Sequence, residues 1–296
     1  MSDEADTKTI CVLYDGHDND GFGSAWATWK RFGAAAVYVP VRHGDPNPPA
    51  EAHAATMVYV LDFSYGIDRI AYLAQSGVCV TLIDHHKTSR QVCDRIDAMV
   101  AADPAKRAFL RYVHDTDKSA AVLTWEYMHE TPPPMLLQYV QDRDLWKWEL
   151  PHSRKYSAAI SLVPKTFAAW DTLATSLDER RGSEVLAYNG GIVLDYERKQ
   201  IDTLVAKADL TRIGGHEVYC VNTPFHQSEV GEALCFKDTS RPFAATWFER
   251  GDGARVYSLR SRGEFDVSVL AGAFGGGGHP RAAGFVWPRE SPCPGS

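Results

Sequence analysis

Over the first hundred positions, apolar residues fall in short runs separated by amphipathic stretches. The runs at 10–14, 35–41, 57–63 and 78–83 have strand length and are bounded by turn residues, so they predict β-strands. Between the first two, Phe22, Ala25, Trp26, Trp29 and Phe32 recur at helical spacing, and Gly33 supplies the stop. Strands alternating with helices mark βαβ units. Such units build a parallel sheet, and open parallel sheets place ligands beyond the carboxyl ends of their strands.

From about Ser119 the pattern turns helical, with helices expected at 120–128, 135–145 and 167–173. The stretch 183–208 predicts one long helix, broken or kinked near Gly190 and Gly191, that connects two domains. Beyond it, strand-like 217–221, 243–248 and 254–259 enclose a helical 228–236, and a helical 267–274 follows. The expected architecture is α/β. A parallel-sheet domain at 1–182, a helical connector at 183–208 and a smaller mixed α/β domain at 209–296 would place an active site in the cleft between the domains. There is no internal repeat, and the one biased segment is the Pro-rich loop at 45–49.

Composition narrows the function. With 45% hydrophobic and 23% charged residues among 296, the chain can bury two cores, and it lacks any apolar run near the roughly 20 residues that span a bilayer. The acidic, polar 1–8 differs from a secretory signal and is expected to be a short disordered tail, which predicts a cytoplasmic protein with no membrane partner. Six cysteines without close C-x-x-C pairing predict buried, reduced thiols. A net charge of −7 argues against long duplex DNA, because such binding needs many Lys and Arg on phosphates. A small anionic substrate remains open, since bound cations make a cleft locally positive.

Four clusters carry chemistry, each at an expected strand or helix end. Asp15 to Ser24 follows the first strand, and Asp18 and Asp20 can converge in a turn that Gly21 and Gly23 allow to bend tightly. Carboxylates so close together repel unless cations bind. Asp62 closes the run V-Y-V-L-D and must be paired, capped or metal-bound. Asp84-His85-His86 closes V-T-L-I, and imidazole beside carboxylates shifts the metal preference toward transition metals. Asp142-Arg143-Asp144 ends a helical segment, where solvated charge is an equal explanation.

In that order, Asp18-x-Asp20-Gly21, Asp62, Asp84-His85-His86 and Asp142 resemble the motifs of the DHH phosphoesterase superfamily. Gly276-Gly277-Gly278-His279-Pro280-Arg281-Ala282-Ala283-Gly284 is similar to the glycine-rich signature of the associated C-terminal domain, found in nanoRNases, RecJ-type exonucleases and cyclic-dinucleotide phosphodiesterases. The resemblance spans most of the chain. It implies that Asp18, Asp20, Asp62, His85 and Asp142 hold two divalent metals, Mn²⁺ first with Mg²⁺ or Co²⁺ as alternatives, Asp62 bridging them. It also implies catalytic roles for His86, facing the phosphate, for Asp62 and for Asp84. In similar motifs a His stands where this chain has Asp15, and a His appears instead at 17, so Asp15 or His17 is an alternative ligand, as is Asp144 for Asp142.

In the C-terminal domain the resemblance assigns Gly276, Gly277, Gly278, His279 and Arg281 to substrate. The glycine run is expected to expose a concave row of N–H groups. Arg260 and Arg262 alternate along an expected strand, so both should face one side and suit a phosphate. The tryptophans Trp26, Trp29, Trp125, Trp146 and Trp148 fit core packing better than base stacking, and Ser119 resembles a family position near the site, although a helix N-cap explains it at least as well. The implied activity is water-driven hydrolysis of phosphodiester or terminal phosphate bonds in short oligonucleotides or small nucleotides by a monomer or homodimer. An exopolyphosphatase or pyrophosphatase is the enzymatic alternative, and a degenerate nucleotide-binding regulator is the non-enzymatic one.

Overall fold

The computed structural model describes residues 9–41 and 45–288; the tail expected at 1–8 and Cys293 lie outside them. The chain forms two compact units, Met1–Val193 and Leu194–Ser296. In the first, strands β1 (Ile10–Asp15), β2 (Ala36–Val41), β3 (Met57–Leu61), β4 (Cys79–Asp84) and β5 (Leu110–His114) form one sheet, ordered β2-β1-β3-β4-β5 with every neighbouring pair parallel. The chain moves outward from β1 to β2 and then crosses back to β3. That reversal leaves a crevice at the carboxyl ends of β1 and β3, where sheets of this order take their ligands.

Side-chain alternation splits each strand between two cores. Val12, Tyr14, Tyr59, Leu61 and Ile83 face one side, and Cys11, Leu13, Val58, Val60, Val80 and Leu82 the other. Both faces are apolar because helices cover both. The helices are α1 (Asn19–Phe32), α2 (Ala50–His53), α3 (Ile67–Gln75), α4 (Arg90–Ala102), α5 (Ala120–Met128), α6 (Met135–Asp144), α7 (Ser153–Ser161), α8 (Phe167–Asp178) and α9 (Arg180–Ala206). Trp26 of α1, Trp125 of α5, Leu137 of α6 and Trp170 of α8 fill the first core, while Ala52, Ile70, Leu73, Cys93 and Ile96 of α2 to α4 fill the second.

Strand β5 and helix α9 are among the departures from the pattern expected of the sequence. Strand β5 adds a fifth strand that its sequence L-R-Y-V-H conceals, because as an edge strand it is fully buried only at Leu110. Helix α9 runs unbroken through Gly190 and Gly191. A Cβ at Gly190 would lie 1.8 Å from the carbonyl oxygen of Lys155, so the glycine lets α9 approach α7 closely instead of kinking.

The second unit holds β6 (Asp209–Ile213), β7 (His216–Asn222), β8 (Phe243–Glu249), β9 (Arg255–Ser261), β10 (Gly277–His279) and β11 (Ala282–Trp287), ordered β10-β11-β9-β8-β7-β6 and antiparallel except for β7 with β8. Helix α10 (Gln227–Lys237) covers one face through Val230, Leu234 and Cys235 against Val221 and Ala244. Helix α11 (Val267–Ala273) covers the other, packing Val267 and Ala271 on Phe243, Tyr257 and Leu259. Among the described residues no disulfide joins the cysteines, and no helix is long and apolar enough to cross a membrane.

Candidate metal centre

The first unit gathers its acidic residues at the carboxyl ends of β1, β3 and β4. After β1, Asp18 caps α1, its Oδ1 accepting the backbone N–H of Asp20 and of Gly21 at 3.0 Å each. Gly21 is required there, since a Cβ would lie 2.0 Å from the carbonyl oxygen of Asp15. Asp20 turns inward and is 2% exposed; its oxygens accept the N–H groups of Ala120 at 2.7 Å and Ala121 at 3.1 Å. Those are the first donors of α5, whose positive end favours an anion. Ser119 caps the same helix, its Oγ accepting from Val122 N, as the sequence suggests.

Strand β3 ends at Leu61 because Asp62 takes a left-handed backbone, φ 65°. For a non-glycine residue this costs about 1–3 kcal/mol, a strain that clusters at functional sites. The turn aims the buried carboxylate across the sheet end, placing Asp62 Oδ1 3.3 Å from His85 Nε2 and 3.9 Å from His86 Nδ1. Asp84, fully buried at the end of β4, spends its oxygens locally. Its Oδ1 accepts from the backbone of His85 at 2.7 Å and of His86 at 3.1 Å and contacts His86 Nδ1 at 2.8 Å, while Oδ2 accepts from Ser89 Oγ. Asp84 therefore shapes the turn and holds the His86 ring.

The acidic pair that ends α6 divides differently from expectation. Asp142 is 5% exposed and its carboxylate accepts Glu149 N at 3.0 Å and Leu150 N at 3.2 Å, so it staples the following loop. Asp144 instead reaches the cluster, its Oδ2 3.4 Å from His85 Nε2. Asp20, His85 and Asp144 each offer a ligand atom within 4.8 Å of one another, and so do Asp62, Asp84, His85 and His86. Among the described residues neither Asp15 nor His17 joins such a group; Asp15 Oδ1 accepts His17 N at 2.8 Å, and the His17 side chain is exposed.

The electrostatics of the cluster suit a bound cation. Burial raises the carboxyl pKa of Asp20, Asp62 and Asp144, and for Asp62 the charges of Asp20, Asp18, Asp144 and Asp84 raise it further. Asp62 Oδ1 and Asp144 Oδ2 are buried without a hydrogen-bond donor. Burial holds the His85 pKa down, which leaves a neutral imidazole suited to metal coordination. On His86 burial works the same way, but the Asp84 carboxylate outweighs it and holds the ring up at about 9. Burial would raise Asp84 itself, yet His86 and the Ser89 hydroxyl keep it well below the usual carboxylate range. Buried negative groups that lack donors, together with a neutral imidazole, fit divalent cations.

Two neighbours escape the sequence reading. His114, at the end of β5, bonds through Nε2 to the His86 carbonyl at 2.9 Å, and with Lys87, Arg90, Asp115 and Thr116 it lines a cavity of about 340 Å³ beside the turn. Lys165 Nζ donates to the His17 carbonyl at 2.8 Å and braces the first acidic loop. No local motif marks either residue, because each comes from an element remote in sequence.

In the second unit, Arg260 lies on the α10 face of β9, with Nη1 donating to the Leu259 carbonyl at 2.8 Å and to Ser258 Oγ at 3.1 Å, and Nη2 to Ser228 Oγ at 2.5 Å. Gly231 makes room for it, since a Cβ there would sit 2.7 Å from Arg260 Cγ. Arg262 lies just past the strand and also leans on α10, its guanidinium 3.6 Å from the Phe236 ring. Gly276, Gly277, Gly278 and His279 form a hairpin edge and not a concave loop: Gly277–His279 are β10, paired with β11. Cβ atoms at Gly276 and Gly278 would lie 2.0 Å from Gly284 O and 2.6 Å from Ala282 O, so these glycines serve close strand packing. Arg281 is exposed at the hairpin tip.

No protein-family model matches the chain. An uncharacterized protein of Acanthamoeba polyphaga mimivirus is 26% identical over an alignment of 303 residues, covering 95% of this chain and 68% of that protein. Oligoribonuclease NrnB of Bacillus subtilis is 23% identical over 303 residues, covering 92% of this chain and 71% of the relative. Among solved structures, RecJ from Thermus thermophilus in complex with Mn²⁺ is similar with a TM-score of 0.48 at 18% identity, over 95% of this chain and 50% of that one.

Proposed function

We infer that this chain, a member of the DHH phosphoesterase superfamily, hydrolyses phosphodiester or terminal phosphate bonds of short oligonucleotides or small nucleotides with divalent metals. The observation that carries this reading is the buried cluster of Asp20, Asp62, His85 and Asp144, in which two carboxylate oxygens have no donor and a neutral imidazole stands between them. The identity of the oligoribonuclease relative supports the substrate class.

Asp20, Asp62, His85 and Asp144, with Asp18 at the rim, would hold the cations, two of them if Asp62 is shared. Mn²⁺ suits this mixed imidazole and carboxylate set, with Mg²⁺ or Co²⁺ as alternatives. When bound, such cations activate water at neutral pH and offset charge on phosphoryl oxygens. No side-chain nucleophile is needed. His86, fixed through Nδ1 by Asp84, supplies a cationic ring to a phosphate oxygen. Arg260, Arg262, His279 and Arg281 are the anion contacts we propose for the second unit.

A second reading, phosphoanhydride hydrolysis, is favoured by the basic side chains of the cavity beside His86. The pure protein with Mn²⁺ and a panel of di- to pentanucleotides, adenosine bisphosphate, cyclic dinucleotides and polyphosphate separates the two. Turnover should appear on nucleotide substrates and vanish in Asp62→Ala. An Asp62→Ala protein as active as wild type defeats the metal assignment, and tight nucleotide binding without turnover marks a regulator.

A further inference from the structure

We propose that helix α9 is a homodimer interface, in which two copies of the chain pair antiparallel through an apolar stripe along it. The helix is continuous from Arg180 to Ala206. On it Val185, Tyr188, Ile192 and Tyr196 are 52%, 71%, 55% and 65% exposed. Single exposed apolar residues are ordinary on a protein surface, but these four share one face. At about 100° and 1.5 Å per residue their spacing holds them within an arc of about 80°, along about 17 Å of helix.

This stripe is not the face on which α9 packs. Leu186 and Ala187 lie against the first core, and Ile201, Leu204 and Val205 lie against the core under α10. Gly190, where a Cβ would meet the Lys155 carbonyl, points about 160° away from the stripe. A helix that is apolar on its outer face as well needs a second surface to bury that face.

The charges beside the stripe identify that surface. Arg180, Glu184, Arg198 and Asp202 are all exposed and follow one flank of the stripe, where Arg180 already reaches Glu184 at 3.1 Å. Arg180 and Asp202 are equally far from Gly191 along the chain, and so are Glu184 and Arg198. Two copies of α9 laid antiparallel about a two-fold axis at Gly191 therefore set each arginine opposite an acid of the second copy. The same register seats Tyr188 between Ile192 and Tyr196 of the second copy. Parallel pairing would put every charge opposite itself. A second copy thus complements the stripe in one orientation. An anionic membrane would call for a basic flank, whereas this one balances arginine with acid.

Sedimentation equilibrium of the full chain tests the interface. Wild type should dimerise. Ile192→Glu should stay monomeric with its far-UV circular dichroism intact, because glutamate is a good helix former at a position exposed in the monomer. Glu184→Arg and Arg198→Glu, each alone, should raise the dissociation constant about tenfold, and the double variant should return it to near the wild-type value. A wild type that is still monomeric at about 100 µM, above the micromolar range of weak specific interfaces, overturns the proposal. So does a dimer that Ile192→Glu leaves intact, or a double variant no tighter than the single ones. Should Ile192→Glu fail to fold, the charge reversals decide. A non-dimerising wild type that sediments with phosphatidylserine vesicles, where Ile192→Glu does not, assigns the stripe to a lipid surface and also overturns the dimer.

Discussion

Replacing Asp142 and Asp144 separately by alanine tests which carboxylate of the pair serves structure and which the metals. Asp142→Ala removes a buried acceptor from two backbone N–H groups, Glu149 at 3.0 Å and Leu150 at 3.2 Å. Hydrogen bonds to a charged acceptor contribute about 1.5–3 kcal/mol each, and water can partly replace the partner of exposed Glu149, so a loss of about 2–4 kcal/mol follows. Asp144→Ala removes a carboxylate whose pKa burial and the charges of Asp20 and Asp18 raise. In metal-free protein at neutral pH that deletion relieves repulsion, and stability should hold or rise. Urea unfolding in EDTA reads both effects. Repeating the melts in Mn²⁺ at a hundredfold excess over Kd should add about 2.7 kcal/mol to wild type. Asp144→Ala should lose that increment, while Asp142→Ala starts lower and still gains on adding metal. An Asp142→Ala protein that matches wild type in EDTA but gains nothing from Mn²⁺, beside a destabilised Asp144→Ala, refutes the assignment.

Metal-free protein should also lose stability as pH rises above about 4, the unfolded carboxyl value. Asp20, Asp62 and Asp144 have raised folded pKa values, so above an unfolded value of about 4 the folded state binds more protons and stability falls through the raised values. His86 acts in the same sense, its stabilisation being lost between its ordinary value of about 6.5 and about 9. Depressed Asp84 matters only below about pH 4, and His85 opposes the trend near its ordinary value of about 6.5. Unfolding free energies in EDTA that climb across this range would contradict the charge distribution, and saturating Mn²⁺ should flatten the fall. In the second unit, Gly276→Ala places a Cβ 2.0 Å from Gly284 O and 2.7 Å from Phe285 Cβ. Overpacking of this kind costs about 1–3 kcal/mol, so amide exchange across β10 and β11 should accelerate, and unchanged protection would show that the hairpin accommodates the methyl group.

Much of the fold was legible in the residues because local periodicity carries it. The apolar runs that became β1 to β4 and the helical spacing of Phe22, Trp26 and Trp29 required no distant partner to be recognised. Strand β5 was hidden because an edge strand has one neighbour and little apolar surface to display. Gly190 and the glycines of β10 could not be read from composition, since the backbone groups that crowd them arrive from other segments.

The candidate site divides along the same line. By itself the sequence determined which residue types stand at which strand ends, and hence the order of the acidic and histidine clusters. Only the tertiary structure decided what each carboxylate does. Asp142 and Asp144 are two residues apart on a helix, so at about 100° per residue they point to nearly opposite sides, and nothing local says which side meets His85. Asp84 and Asp62 both end apolar strands, yet the first is saturated by its own turn and the second is aimed at His85 by a left-handed backbone. Asp20 docks on Ala120 and Ala121, a hundred residues away. A carboxylate's role is set by which donors and charges surround it in space, and those come from segments that meet only when the chain folds.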